Sequence, residues 1–251
     1  MTRIISVHSF RGGTGKSNLS ANLAALYALA GKRVGVVDTD IQSPGIHILF
    51  GLQETATAHA LNDYLWGVCS IGQCARDVTA ALGQATGGSI HLVPSSVNAA
   101  DIARMLKSGY DINLLGDGFH RLGEELRLDL LIIDTHPGLN EETLLSIALS
   151  QALLVVMRPD HQDYQGTGLT VEVARELEVP NLQIVVNKTP AVFDHEQIRR
   201  TVTETYHCPV AAILPHADEM MTLASQGLFA VRYPHHPITA ALQQVAGLLS
   251  A

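Results

Sequence analysis

The chain has 251 residues, 47% of them hydrophobic and 16% charged, a balance that excludes a disordered polymer and suffices for a sizeable core. Its formal net charge of −8 argues against a non-specific grip on nucleic acid, which needs many cationic contacts to phosphates. The three cysteines, Cys69, Cys74 and Cys208, contain no CxxC pair, so they announce neither a disulfide framework nor a metal site, and they fit a reducing cytosol.

In chain order, residues 4–8 read as a strand, with no signal-peptide pattern or membrane-length apolar run, so a cytoplasmic location is expected. Phe10-Arg11-Gly12-Gly13-Thr14-Gly15-Lys16-Ser17 then lies between that strand and a helix over 18–29, with Gly31 as its closing glycine. A strand, three glycines, Lys-Ser and a helix in this order form a phosphate loop. Gly12, Gly13 and Gly15 are expected to take positive φ, and the N–H groups from Gly12 through Thr14 to Asn18 form an anion site. ATP or ADP with Mg²⁺ is the expected ligand: Lys16 is placed to bridge the β- and γ-phosphates of ATP, and the Ser17 hydroxyl to ligate the metal.

A second strand, 33–37, ends in Asp38-Thr39-Asp40, carboxylates that either serve the phosphate site or cap a turn. The stretch 54–88 gives a helix around 60–67 and then irregular structure. A strand at 90–93, a helix over 99–107 and the apolar run 130–133 follow, and that run delivers Asp134 at its carboxyl end in the Walker B manner, to magnesium through water. Further helices are expected over 141–150, 168–177 and 195–206, and further strands over 153–157, 182–186 and 210–214. Arg199-Arg200 reads as a solvated helix face, and His235-His236-Pro237 as a surface turn. The strand runs are nearly continuous in Val, Ile and Leu, which suits strands covered on both faces. The fold expected is therefore α/β: one domain spanning 1–251, doubly wound, with a mostly parallel sheet flanked by helices on both faces, as in P-loop NTPases.

Residues 10–17 resemble the loop of the MinD/ParA family of deviant Walker ATPases, Lys-Gly-Gly-x-Gly-Lys-Ser/Thr, with two departures. Arg11 stands where that family has its signature lysine, and Phe10 stands where the general phosphate-loop pattern has glycine. The resemblance continues in Asp38-Thr39-Asp40 and in Asp134-Thr135-His136-Pro137-Gly138, and more weakly in Asn187-Lys188 and in the segment from Leu214 to Asp218. It implies that Asp40 lies near the attacking water, that Asp38 sits by the metal or the loop, and that the Gly138 N–H meets the γ-phosphate. Asn187 would then read the adenine edge, with the Lys188 stem over the ring and Pro215 in the segment closing from the other side. His136 is read as a loop histidine with a structural or partner role, since family catalysis rests on positioning and electrostatics. Arg11 keeps the charge but not the shape of lysine. It is either a finger onto a partner copy's phosphates, the reading adopted, or a solvated loop arginine.

The family implies a slow, partner-stimulated ATPase that forms a homodimer on Mg-ATP and recruits or positions a protein partner. The alternative is a nucleotide-binding regulatory or scaffold module with little hydrolysis. Ile238, Leu242, Val245 and Leu249 fall at helical spacing near the C-terminus, but no Lys or Arg follows Arg232. A tail without cations argues against stable membrane anchoring. The acidic balance argues against DNA as partner, and the absence of CxxC and of any cysteine between Cys74 and Cys208 argues against an iron–sulfur role.

Overall fold

The computed structural model describes residues 1–52 and 59–250. The chain runs through β1 (Arg3–His8), α1 (Lys16–Leu29), β2 (Arg33–Asp38) and three short helices, α2 (Ile46–Leu49), α3 (Leu61–Leu65) and α4 (Ile71–Cys74). It continues through β3 (Arg76–Asp77), β4 (Ser89–Val93), α5 (Ala99–Ser108), α6 (Asn113–Glu125), β5 (Leu130–Asp134), α7 (Glu141–Ala148), β6 (Ala152–Met157) and α8 (His161–Glu176). The last third is β7 (Asn181–Thr189), α9 (His195–Tyr206), β8 (Val210–Pro215), α10 (Asp218–Leu223), α11 (Phe229–Arg232) and α12 (Pro237–Ser250).

The strands form one sheet in the order β3-β4-β2-β5-β1-β6-β7-β8, parallel throughout except where β3 pairs antiparallel with β4. Alternate side chains go to opposite faces. Ile5, Val7, Val36, Ile132 and Leu154 pack beneath α1 and α12. Ile4, Leu131 and Ile133 face α6, and Leu153, Val155 and Ile184 face α8 and α9. Both faces are covered, as the continuous apolar runs require. Strand order reverses around β1, between β5 and β6, so the carboxyl end of β1 opens onto the crevice where such sheets bind ligands.

Three local readings need correction. Helix α6 was not foreseen, because Gly116, Gly118 and Gly123 look like breaks in a helical pattern. They serve close packing instead: a Cβ on Gly118 would lie 2.8 Å from the Tyr64 ring, and one on Gly123 would lie 2.6 Å from Thr2 Oγ1. Helix α8 begins at His161 rather than 168, because Asp160 caps it by accepting the N–H groups of Gln162 and Asp163. Arg199 is not merely solvated, since its guanidinium donates to the Val210 carbonyl, whereas Arg200 makes an exposed pair with Glu204. The expected helix at 60–67 appears as α3, and residues 54–58 of the uncertain stretch lie outside the described ones. His235 lies in a turn before α12, as expected. Helix α12 buries Ile238, Leu242, Val245 and Leu249, so its apolar face is spent on the core, and the Tyr27 hydroxyl donates to the Ala246 carbonyl at 2.8 Å. Among the described residues no helix is long and apolar enough to cross a membrane.

Candidate functional site

The loop from Ser9 to Gly15 leaves β1 at the switch point and turns directly into α1. Gly13 and Gly15 adopt left-handed backbone at φ 78° and 98°, a conformation that side chains with a Cβ resist. Gly12 does not, so its expected positive φ is not realised; a Cβ there would approach only Pro137 Cγ, at 3.9 Å. Gly15 is also closely overlaid, with its Cβ position 2.5 Å from Asn187 Nδ2. The first turn of α1 thus opens with N–H groups aimed at a cleft of about 420 Å³. Gly12, Gly13, Thr14, Gly15, Lys16, Ser17 and Asn18 line it, together with Asp40, His136 and Lys188.

Lys16 is 6% exposed, and its ammonium lies 3.4 Å from Asp134 Oδ1. Ser20, one turn further along α1, donates its hydroxyl to the same oxygen at 2.8 Å. Sequence reasoning passed over Ser20, although its spacing of four from Lys16 was the available signal. Asp38 is fully buried; Oδ1 accepts the Asp40 N–H at 3.0 Å and Oδ2 the Gly45 N–H at 3.3 Å. Asp40 Oδ1 accepts the Ser43 N–H at 3.0 Å and lies 3.8 Å from His136 Nε2. Three carboxylates therefore gather around one ammonium. Burial, reinforced by Asp134, pushes Asp38 up to about 8, and burial also raises Asp40 against the pull of Lys16 and His136. Among the described residues no three acidic, His or Cys side chains converge into a ready-made metal cage.

A carboxyl raised in the folded state binds more protons folded than unfolded between about pH 4 and pH 8, so it lowers stability as pH rises through that window. Asp38→Asn removes this dependence. The melting temperature of the ligand-free variant minus that of the parent should climb by about 4 °C or more between pH 5 and pH 9. A flat difference would show that Asp38 is already ionised at neutral pH.

His8, also passed over, is fully buried at the end of β1, and burial pushes it down to about 3, so it is neutral. Thr135 donates its hydroxyl to the Val7 carbonyl at 3.1 Å, so His8 Nδ1 carries the proton and donates to Thr135 at 2.8 Å. This bond joins the start of the phosphate loop to the segment that follows Asp134. The Gly138 N–H donates to the Ser9 carbonyl at 3.3 Å, so it must change partner to reach a phosphate.

Two of the residues expected at the adenine base, Asn187 and Lys188, hold the phosphate loop. Asn187 Nδ2 donates to the Thr14 carbonyl and Lys188 Nζ to the Gly13 carbonyl, both at 2.8 Å, so β7 braces the phosphate loop from the side. Pro215 pairs with Thr189 at the edge of the sheet and does not line the cleft.

Arg11 also stands outside the cleft, its Nε 3.9 Å from Asp163 Oδ1 on α8. Asp163 is 2% exposed and accepts from the Arg158 N–H at 2.8 Å and from its guanidinium at 3.1 and 3.2 Å. One turn on, Phe10 covers Gly166, whose Cβ position would be 2.2 Å from Phe10 Cδ1. Both departures from the loop pattern, Phe10 and Arg11, are thus seated on the first turns of α8.

The profile of one family, described as an AAA domain, matches residues 2–185. An uncharacterised ATP-binding protein of Methanocaldococcus jannaschii is 26% identical, over 99% of this chain and 88% of its own length. The septum site-determining protein MinD of Pyrococcus horikoshii, solved with Mg-ADP, superposes with a TM-score of 0.78 at 20% identity, covering 98% of this chain and 95% of its own. A chain of the MinC:MinD cell division protein complex of Aquifex aeolicus superposes at 0.80 with 17% identity, covering 99% of this chain and 96% of its own.

Proposed function

The chain belongs to the AAA domain family, with MinD/ParA-type relatives, and we propose that it is an ATP-binding, slowly hydrolysing switch that dimerises on Mg-ATP and thereby recruits or positions a protein partner. The observation that carries the reading is the cleft itself: left-handed glycines, a helix N-terminus, a buried Lys16 and a ring of carboxylates at the switch point. The residues present fit a magnesium nucleotide. Loop N–H groups and Lys16 take the phosphates, with Ser17, Asp38 and Asp134 on the metal side. Bound magnesium would neutralise phosphate charge and relieve the crowding of Asp38, Asp40 and Asp134. Asp40, at the cleft wall, orients the attacking water. The MinC:MinD complex supports a protein as the partner.

Arg11 is the mechanistic hinge of this reading. To act on a partner copy's phosphates it must leave Asp163, which keeps its three bonds from Arg158 and so is not orphaned. Its cis pairing also gives the second reading, a nucleotide-bound scaffold with little hydrolysis, its one specific support. Phosphate release by the parent, Asp40→Ala and Arg11→Ala decides between them. The switch predicts slow turnover in the parent and a loss of about 100-fold or more in Asp40→Ala with ATP still bound. Arg11→Ala should lose about 1,000-fold if the guanidinium works in trans. Release by the parent that is absent with or without candidate partners would sink the switch. An Arg11→Ala variant that associates and turns over like the parent would remove the trans role.

A further inference from the structure

The turn between α3 and α4 carries a feature that the cysteine spacing did not announce: Cys69 Sγ and Cys74 Sγ lie 3.4 Å apart. Cys74 is buried, with the Ala60 carbonyl 3.1 Å and the Ser70 carbonyl 3.6 Å from its sulfur as acceptors for its thiol, and the two sulfurs share a thiol hydrogen bond. Cys69 is partly exposed, and Cys208 lies elsewhere, buried beside β7 with its thiol towards the Leu182 carbonyl. The segment is well anchored on either side. The Leu61 N–H donates to the Pro94 carbonyl at 2.8 Å, Asn62 Oδ1 accepts the Ser96 N–H at 2.8 Å, and Arg76 donates to the His59 carbonyl at 2.7 Å. The two sulfurs are therefore presented to each other by a scaffold that survives small side-chain rotations.

We propose that Cys69 and Cys74 form a dithiol modification site, which hydrogen peroxide oxidises to an intramolecular disulfide that tethers the turn between α3 and α4. The sulfur of Cys69, the accessible one, attacks the peroxide O–O bond as its thiolate, forming a sulfenic acid and releasing hydroxide. The Cys74 thiol gives its proton to that hydroxide, and its sulfur displaces the sulfenic hydroxyl, which departs as water on taking up the proton that Cys69 first lost. Two thiols and one peroxide thus become one disulfide and two waters; the sulfurs are oxidised and the peroxide is reduced. Burial raises both thiols above the ordinary cysteine range, so the first step is slow at neutral pH and quickens as pH rises. Bond formation also takes from Ala60 the hydrogen that its carbonyl accepts, so the start of α3 must adjust.

The experiment treats the reduced full chain with hydrogen peroxide, then alkylates and digests with trypsin. Cys69 and Cys74 share the fragment 34–76, which holds no internal Lys or Arg. The expected product is that fragment lighter by about 2 Da, refusing alkylation until reduced, while Cys208 stays alkylated. Cys74→Ser should instead leave a sulfenic acid on Cys69 that a cyclic 1,3-dione traps. Trp66, the chain's one tryptophan, lies in the tethered turn with the Arg104 guanidinium 4.0 Å from its ring centroid, so its emission should shift on oxidation and return with dithiothreitol. Full alkylation of both cysteines after peroxide, a link to Cys208 or a link between chains would overturn the proposal.

Discussion

Lys16→Ala is expected to raise the dissociation constant for ATP by about 100-fold or more, equivalent to about 3 kcal/mol. The ammonium faces Asp134 at 3.4 Å, and it lowers both Asp38 and Asp40. Without it, a triphosphate would meet a buried acidic cluster in place of a counter-charge, so attraction is lost and repulsion is added. The folded state should tolerate the change better than the ligand does. Asp134 keeps the Ser20 hydroxyl, Asp38 keeps two N–H donors, and Asp38 can neutralise itself because burial already holds its carboxyl up. Anisotropy of a labelled ATP at fixed salt measures the loss, and circular dichroism confirms that the variant is folded. Undiminished affinity in a folded variant would take Lys16 out of phosphate recognition.

Some of this was legible from the chain and some was not, for physical reasons. Strands β1, β2 and β4 to β8 could be read because strands covered on both faces are short, nearly continuous runs of Val, Ile and Leu. The loop could be read because its chemistry is contiguous: the glycines, Lys16 and Ser17 act together within one turn. Helix α6 could not, because the glycines that let it sit against Tyr64 and Thr2 are locally indistinguishable from turn signals. The two-residue β3 is too short to carry a period. His8, Asp163 and Gly166 matter through partners more than 100 residues away in sequence for His8, Arg11 and Phe10. No local window contains both halves of such a contact.

That last pairing yields the second large effect. Gly166→Ala should destabilise the chain by about 1–3 kcal/mol, although an alanine inside an ordinary helix gains about 1 kcal/mol over glycine. The distances decide the sign. A Cβ at 166 would lie 2.2 Å from Phe10 Cδ1, 2.3 Å from Cγ and 2.7 Å from Cβ. Rotating the ring could relieve the first two contacts, but the Phe10 Cβ moves only with its backbone, which leads straight into Arg11 and Gly12. The strain therefore passes into the phosphate loop, and nucleotide affinity should fall along with the melting temperature. Phe10→Gly removes the obstacle at the cost of the ring's packing. In the double variant the alanine would no longer clash, so the two changes should couple by at least about 1 kcal/mol in the rescuing direction. Thermal melts of the four proteins complete the cycle. Simple additivity would mean that Phe10 does not rest on Gly166, and the aromatic residue at the loop's entrance would then have lost its structural reason. Coupling in both stability and ATP affinity would instead identify α8 as the seat of the loop.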